Sequence, residues 1–183
     1  MALDLQFDRP IRSHRVRRSF GFVDLSGFTT FSAIHGDDRA VEQLSLFRAV
    51  LRSVGSATGV RVAKWLGDGA MLVGLEPATL VSAILRVKRM LAAEGSELAI
   101  HAGVASGDVI LFEGDDHIGN VVNLAARLAA LAEPGQILAP ADLFHGLSRT
   151  DAWVGPIQIA GFDEPIAVAD LALVPALVES YNL

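Results

Sequence analysis

The chain has 183 residues, half of them apolar and a fifth charged, with a formal net charge of −6. That composition describes one globular domain with a real core, not a disordered chain, and its acidic balance argues against generic nucleic-acid binding. There is no cysteine, which excludes disulfides and thiolate metal sites and fits a reducing, cytoplasmic setting; no apolar run approaches the roughly 20 residues that span a bilayer, and the N-terminus has no secretory apolar segment.

Residues 1–18 read as a basic N-terminal lead, with Arg12, Arg15, Arg17 and Arg18 clustered before the first strand. Such a cluster is either a solvated arm or an anion- or membrane-surface contact. Ser19 to Asp24 alternates in the manner of a short strand and breaks at Ser26-Gly27. A helix follows, capped by Asp37 or Asp38, with Val41, Leu44, Phe47, Leu51 and Val54 on one face. Val60 to Gly74 reads as a hairpin turning at Gly67-Asp68-Gly69, because Asp-Gly between apolar runs favours a tight turn. Pro77 opens a second amphipathic helix, with Leu80, Ile84, Val87 and Leu91 inward.

Two strand-like runs are expected between Leu98 and Phe112, joined at Ser106-Gly107, and then a polar turn through Asp116. Gly119 to Ala132 is a helix, ended by Pro134-Gly135. Gln136 to Ala139 is a short strand, Pro140 suits the first position of a short helix, and the tail is a hairpin turning at Gly161-Phe162-Asp163. Strand pairs between helices predict an α+β fold: a ferredoxin-like βαββαβ core with a mainly antiparallel sheet and an added C-terminal hairpin.

Several residues along this order can carry chemistry. Asp24 ends the first strand and Asp68 sits at the hairpin tip. The fold can bring these two ends side by side, and two apposed carboxylates call for a divalent cation such as Mg²⁺ or Mn²⁺. Taken alone, Asp68 is equally a plain turn residue. Gly27, Phe28 and Thr29 lie where a helix begins, and a helix start can receive phosphate. On the helix after Gly119, Asn123 and Arg127 share a face with Asn120, opposite Val121, Leu124, Ala125 and Leu128. Arg grips phosphate oxygens with two N–H groups, and Asn suits a sugar; the same face also reads as ordinary solvated surface. Lys64 and Asp116 offer a donor and an acceptor that fit the edge of adenine, whose N6 amino group donates where guanine presents an accepting O6. Equally, Lys64 can snorkel to water from a strand edge.

The stretches FVDLSGFT, KWLGDGAM, AGVASGDV, DDHIGNVVNLAARL, EPGQILAP and GFDEP resemble, in order and spacing, the catalytic domain of the class III adenylyl and guanylyl cyclases. The resemblance runs from about Ser19 to Val174 and implies a catalytic domain over residues 19–183. It implies that Asp24 and Asp68 bind two metal ions, Mg²⁺ or Mn²⁺, that Lys64 and Asp116 select adenine, that Asn123 orients the ribose and that Arg127 stabilises the transition state. The implied reaction converts ATP to cyclic AMP and pyrophosphate by in-line attack of the ribose 3′-hydroxyl on the α-phosphorus. It further implies a homodimer with two shared sites, the metal aspartates coming from one subunit and the other four residues from its partner.

Two positions depart from the family's pattern. His101 stands where many members carry arginine, and Ala160 where many carry lysine; both contact the triphosphate in relatives. Arg39, Arg48 or the arm from Arg12 to Arg18 are candidate substitutes. The competing readings are a guanylyl cyclase, against which Lys64 and Asp116 argue, and a non-catalytic nucleotide-binding module, which would be expected to lack one of the matched residues. A diguanylate cyclase would show a GGDEF-type hairpin where this chain reads LGDGA.

Overall fold

The structure, a computed structural model, describes residues 15–112, 116–143 and 152–174. Arg12 lies outside them. The elements run β1 (Arg15–Leu25), α1 (Phe28–His35), α2 (Asp37–Thr58), β2 (Arg61–Leu66), β3 (Gly69–Gly74), α3 (Pro77–Ala93), β4 (Ile100–Phe112), β5 (Asp116–Ile118), α4 (Asn120–Leu131), β6 (Ile137–Pro140), β7 (Trp153–Ile157) and β8 (Ile166–Asp170). The strands form one sheet in the order β2-β3-β1-β4-β6-β8-β7, with β5 added against β4. The first four in that order are the expected ferredoxin-like arrangement. Every pairing is antiparallel except β4 with β6, and that parallel pair needs a crossover, which α4 supplies.

Alternation along the strands sorts their side chains to two faces. Val23 and Leu25 of β1, Leu72 of β3, and Ile100 and Val104 of β4 face α2 and α3, where they pack with Phe47, Leu51, Leu80 and Ile84 in the main core. Phe20 and the half-buried Phe22 of β1 face α4, with Met71, Ala105 and Ala125. All four apolar residues expected inward on α3 are buried. On α2, Phe47, Leu51 and Val54 are buried, but Val41 is 60% exposed and Ala40 and Gln43 turn inward instead. The buried stripe thus runs one position earlier at the start of that helix.

Three expectations are corrected. The runs on either side of Ser106-Gly107 are one continuous strand, β4. It is continuous because β1 begins at Arg15, not Ser19, so Arg18 and Ser19 pair with Gly107 and Ser106. The Ser19 hydroxyl donates to the Ser106 hydroxyl at 3.1 Å, and Ser106 Oγ donates to the Arg18 carbonyl at 3.2 Å. Arg15, Arg17 and Arg18 are therefore strand residues and not a loose lead. Pro140 closes β6 by pairing with Val168 and accepts a bond from Leu143 N–H in a turn; the rest of the short helix expected there lies outside the described residues. A helix not expected as a separate element, α1, intervenes before α2.

The approach of α4 to the sheet is set at Gly103. A Cβ there would lie 2.1 Å from the Ala129 nitrogen and 2.3 Å from the Ala125 carbonyl oxygen. Both neighbours are backbone, so the whole helix would have to move. Gly103→Ala is expected to destabilise the fold by roughly 1–3 kcal/mol or more, measured by chemical denaturation; a loss below about 0.5 kcal/mol, the level of an ordinary surface change, would contradict this packing.

Candidate active site

Asp24 points to the α4 side of the sheet, in the alternating series Phe20, Phe22, Asp24. In the ladder it stands between Gly69 of β3 and His101 of β4. A Cβ at position 69 would lie 2.7 Å from Asp24 Oδ1, so Gly69 is the cradle in which the carboxylate lies. One carboxylate oxygen accepts the Leu25 N–H at 3.1 Å. Asp68 is in the β2–β3 turn next to that cradle, and Gly67 takes the left-handed conformation (φ 69°) that the turn requires. The Asp24 carboxyl is held above its ordinary range, first by burial, then by the negative charge of Asp68; His101 and the Leu25 N–H act the other way. The structure thus brings the two aspartates together, and they oppose one another.

A cleft of about 160 Å³ opens at Asp24. Its lining includes His101, Gly69, Leu66 and three alanines of α4, Ala126, Ala129 and Ala130. Among the described residues no cluster of three or more His, Asp or Glu side chains could hold a metal ion. Two carboxylates with a glycine cradle nonetheless fit a hard cation such as Mg²⁺ or Mn²⁺, which takes few protein ligands and completes its shell from water and phosphate oxygens.

A second group forms further along the sheet. Lys64 Nζ donates to Asp116 Oδ1 at 2.5 Å, across 52 positions of sequence. Both side chains are exposed, and the Lys64 hydrogen bond and charge hold the Asp116 carboxyl below its ordinary range. Lys64 reaches that position through a bulge in β2. Val62 and Trp65 both pack on the main core, and a regular strand would send residues three apart to opposite faces. The bulge places Lys64 opposite Met71, on the α4 side.

Asn123 is exposed and Arg127 half-buried on α4. The Arg127 guanidinium lies against the β7–β8 turn, its Nη2 3.3 Å from where a Cβ at Gly161 would stand. Gly161 has φ 79°, a left-handed conformation that favours glycine in this turn. Neither Asn123 nor Arg127 lines the cleft at Asp24. The aspartate pair, the Lys64–Asp116 pair and the Asn123–Arg127 face are therefore three groups on the α4 side of one chain.

Gly27, Phe28 and Thr29 form the start of α1, immediately after Asp24. Their turn is fastened by Ser26 N–H to the carbonyl of Ala99, just before β4, at 2.8 Å and by Ser26 Oγ with His101 Nδ1 of β4 at 2.9 Å. Two of the basic residues considered for phosphate are engaged with other protein groups. Arg39 is paired with Glu42 and Glu97. Arg48 donates to the Gly67 carbonyl at 3.0 Å and lies over Trp65. Arg18 stands six residues before Asp24 on the same strand, about 20 Å away at the rise of extended chain.

No family model matches the chain. It is 39% identical over 160 residues, 87% of its length, to an uncharacterized protein of Mycobacterium tuberculosis, covering 42% of that protein. It is 32% identical over 135 residues, 74% of its length, to a protein named adenylate cyclase from Glutamicibacter nicotianae, covering 33% of it. The chain thus spans less than half the length of these curated relatives. Among solved structures it is similar to the adenylyl cyclase CyaB from P. aeruginosa, with a TM-score of 0.75, 22% identity and coverage of 87% of this chain and 95% of that one. It is similar also to the guanylyl cyclase Cya2, with a TM-score of 0.72, 21% identity and coverage of 93% and 98%.

The raised pKa of Asp24 gives a sign to its effect on stability. Below the ordinary carboxyl value of 3.8 the group is protonated in both folded and unfolded chains and costs nothing. As the pH rises through the folded value the ionised form is disfavoured in the fold, so stability is lost. Asp24→Asn retains an oxygen for the Leu25 N–H and removes the charge. Without divalent metal it is expected to melt higher than the wild type at pH 7, with the gap closing toward pH 4. Thermal melts across that range check this; a lower melting temperature for the variant at pH 7 would contradict it.

Proposed function

The chain belongs to the class III adenylyl/guanylyl cyclase catalytic-domain family, and on that premise we propose that it is an adenylyl cyclase, converting ATP to 3′,5′-cyclic AMP and pyrophosphate. The observation that carries the choice of ATP is the Lys64–Asp116 pair. Asp116 accepts from the N6 amino group of adenine and Lys64 donates to a ring nitrogen. Guanine would set its O6 acceptor against the carboxylate. Because the pair is exposed, water screens it and an incoming base can open it at small cost.

Asp24 and Asp68 would hold two Mg²⁺ or Mn²⁺ ions beside Gly69. When bound, such ions supply acidity to the ribose 3′-hydroxyl and positive charge to the triphosphate. The 3′-oxygen loses its proton to solvent and attacks the α-phosphorus in line. The bond from that phosphorus to the bridging oxygen breaks, and pyrophosphate leaves. Arg127 donates to the α-phosphate oxygens as charge grows on them, and Asn123 holds the sugar in line. The start of α1, at Gly27, Phe28 and Thr29, turns backbone N–H groups to the phosphates. No side chain is required as a base.

The active unit is a homodimer. The Asp24 cleft of one chain is lined on its α4 side by alanines, with Asn123 and Arg127 outside it. A second copy can supply those two groups, and a two-fold relation completes two equivalent sites. Cytoplasmic location, where ATP is available, belongs to the same proposal; no helix among the described residues is long and apolar enough to cross a membrane.

Purified protein given ATP or GTP, each with Mg²⁺ or Mn²⁺, is expected to form cyclic AMP from ATP in preference to cyclic GMP from GTP. Preferential cyclic GMP formation would overturn the assignment of Lys64 and Asp116, and no cyclic product from either nucleotide would overturn the cyclase reading. Arg127→Ala is expected to lower kcat by about 10²–10³, the scale of a lost transition-state donor. An effect below tenfold would remove Arg127 from that role.

A further inference from the structure

The geometry points to Arg48 as a positioning residue: it anchors the β2–β3 turn from outside and thereby fixes where Asp68 stands. The turn needs such an anchor. β2 is an edge strand, bonded to β3 alone, and Gly67 and Asp68 lie between the last pair of that ladder, Leu66 with Gly69. Arg48 reaches the turn from α2 and donates from Nη2 to the Gly67 carbonyl at 3.0 Å. Its guanidinium carbon lies 5.1 Å from the centroid of Trp65, the residue two before Gly67, and that of Arg52, one helical turn on, lies 5.3 Å from the same ring. Trp65 in turn packs on the main core.

Arg48 Nε is buried without a hydrogen-bond partner, and no carboxylate pairs with the side chain among the described residues. Its interactions are thus the Trp65 ring and the carbonyl that precedes Asp68. A guanidinium suits this double task because its planar face stacks while an edge N–H donates. The Gly67 carbonyl is held by a charged donor, and the peptide that bears Asp68 is held with it. Arg52 shares the ring without reaching the turn, so it separates stacking from anchoring.

The consequence for metal rests on the proposed function; the consequence for the turn does not. Arg48→Met keeps the aliphatic stem over Trp65 and removes the donor. Amide exchange at Asp68 and Gly69, without metal or nucleotide, is expected to quicken about tenfold, the scale of one hydrogen bond from a charged donor. Arg52→Ala is expected to leave it within twofold, and Arg48→Lys to recover most of the loss. Half-saturating Mn²⁺, read from the free-ion electron paramagnetic resonance signal with the protein alone and from activation by Mn²⁺, is expected to rise about tenfold in Arg48→Met, as for removal of an outer partner of a metal ligand. KM for ATP at saturating Mn²⁺ should stay within twofold. Exchange in Arg48→Met equal to wild type overturns the inference, as does an equal change in Arg52→Ala. A raised KM with unchanged exchange would make Arg48 a phosphate ligand instead. Should Arg48→Met not fold, Arg48→Ala takes its place: exchange at Asp68 and Gly69 no faster in it than in Arg52→Ala overturns the inference. Absence of any cyclic product from the wild type would remove the cyclase reading and leave the exchange result standing.

Discussion

Strand β1 is bonded to β4 from Arg15 to Leu25 and to β3 from Ser19 to Asp24, and this doubly paired ladder admits one register. With Val23 and Leu25 in the aliphatic core and Phe20 and Phe22 toward α4, a slip of one residue would turn Asp24 into the core and the valine out. The same register sets Asp24 between Gly69 and His101. The candidate metal site is thus a by-product of core packing: the hydrophobic alternation that stabilises the sheet also aims the carboxylate.

What the ladder imposes is unfavourable locally. The partly buried Asp24 carboxylate is charged against its own burial and against the negative charge of Asp68. The fold tolerates this because it can afford a strained spot on a large buried core. Glycine gives the room at Gly69, as it does for the helix at Gly103. These two positions, 34 apart in sequence, are where backbone approaches closely on the α4 face. In the proposed enzyme the stored repulsion becomes affinity for a cation.

Much of this was legible in the sequence, for identifiable reasons. The β2–β3 hairpin was legible because Gly-Asp-Gly between apolar runs leaves few alternatives, and α3 because its four inward residues follow the helical period without interruption. Asp24 and Asp68 were legible only together with the other matched stretches; alone each has a bland explanation. Other features depend on contacts between distant residues. β4 reads as two strands because Ser106-Gly107 looks like a break, and only its pairing with Arg18 and Ser19 makes it one. The bulge that turns Lys64 outward is hidden, since Val62 and Trp65 are both apolar and either alternation fits them. The bond from Arg48 to Gly67 crosses from a helix to a turn 19 residues later; the spacing of Arg48 and Arg52 marks a helix face but not what that face meets. Arg48 therefore reads from sequence as a spare phosphate ligand, where the structure engages it with the hairpin.

The central claim is that a working site is assembled from the aspartates of one chain and the Asn123–Arg127 face of another. It is tested most directly by mixing two inactive proteins, Asp24→Asn and Arg127→Ala, and measuring cyclic AMP formation from ATP with Mn²⁺. In a mixed dimer one site inherits both defects and the other inherits neither. With free exchange of subunits, an equal mixture is expected to recover about a quarter of wild-type activity, since about half of the dimers are mixed and each has one intact site of two. A mixture no more active than its components, with subunit exchange confirmed, would contradict the shared site.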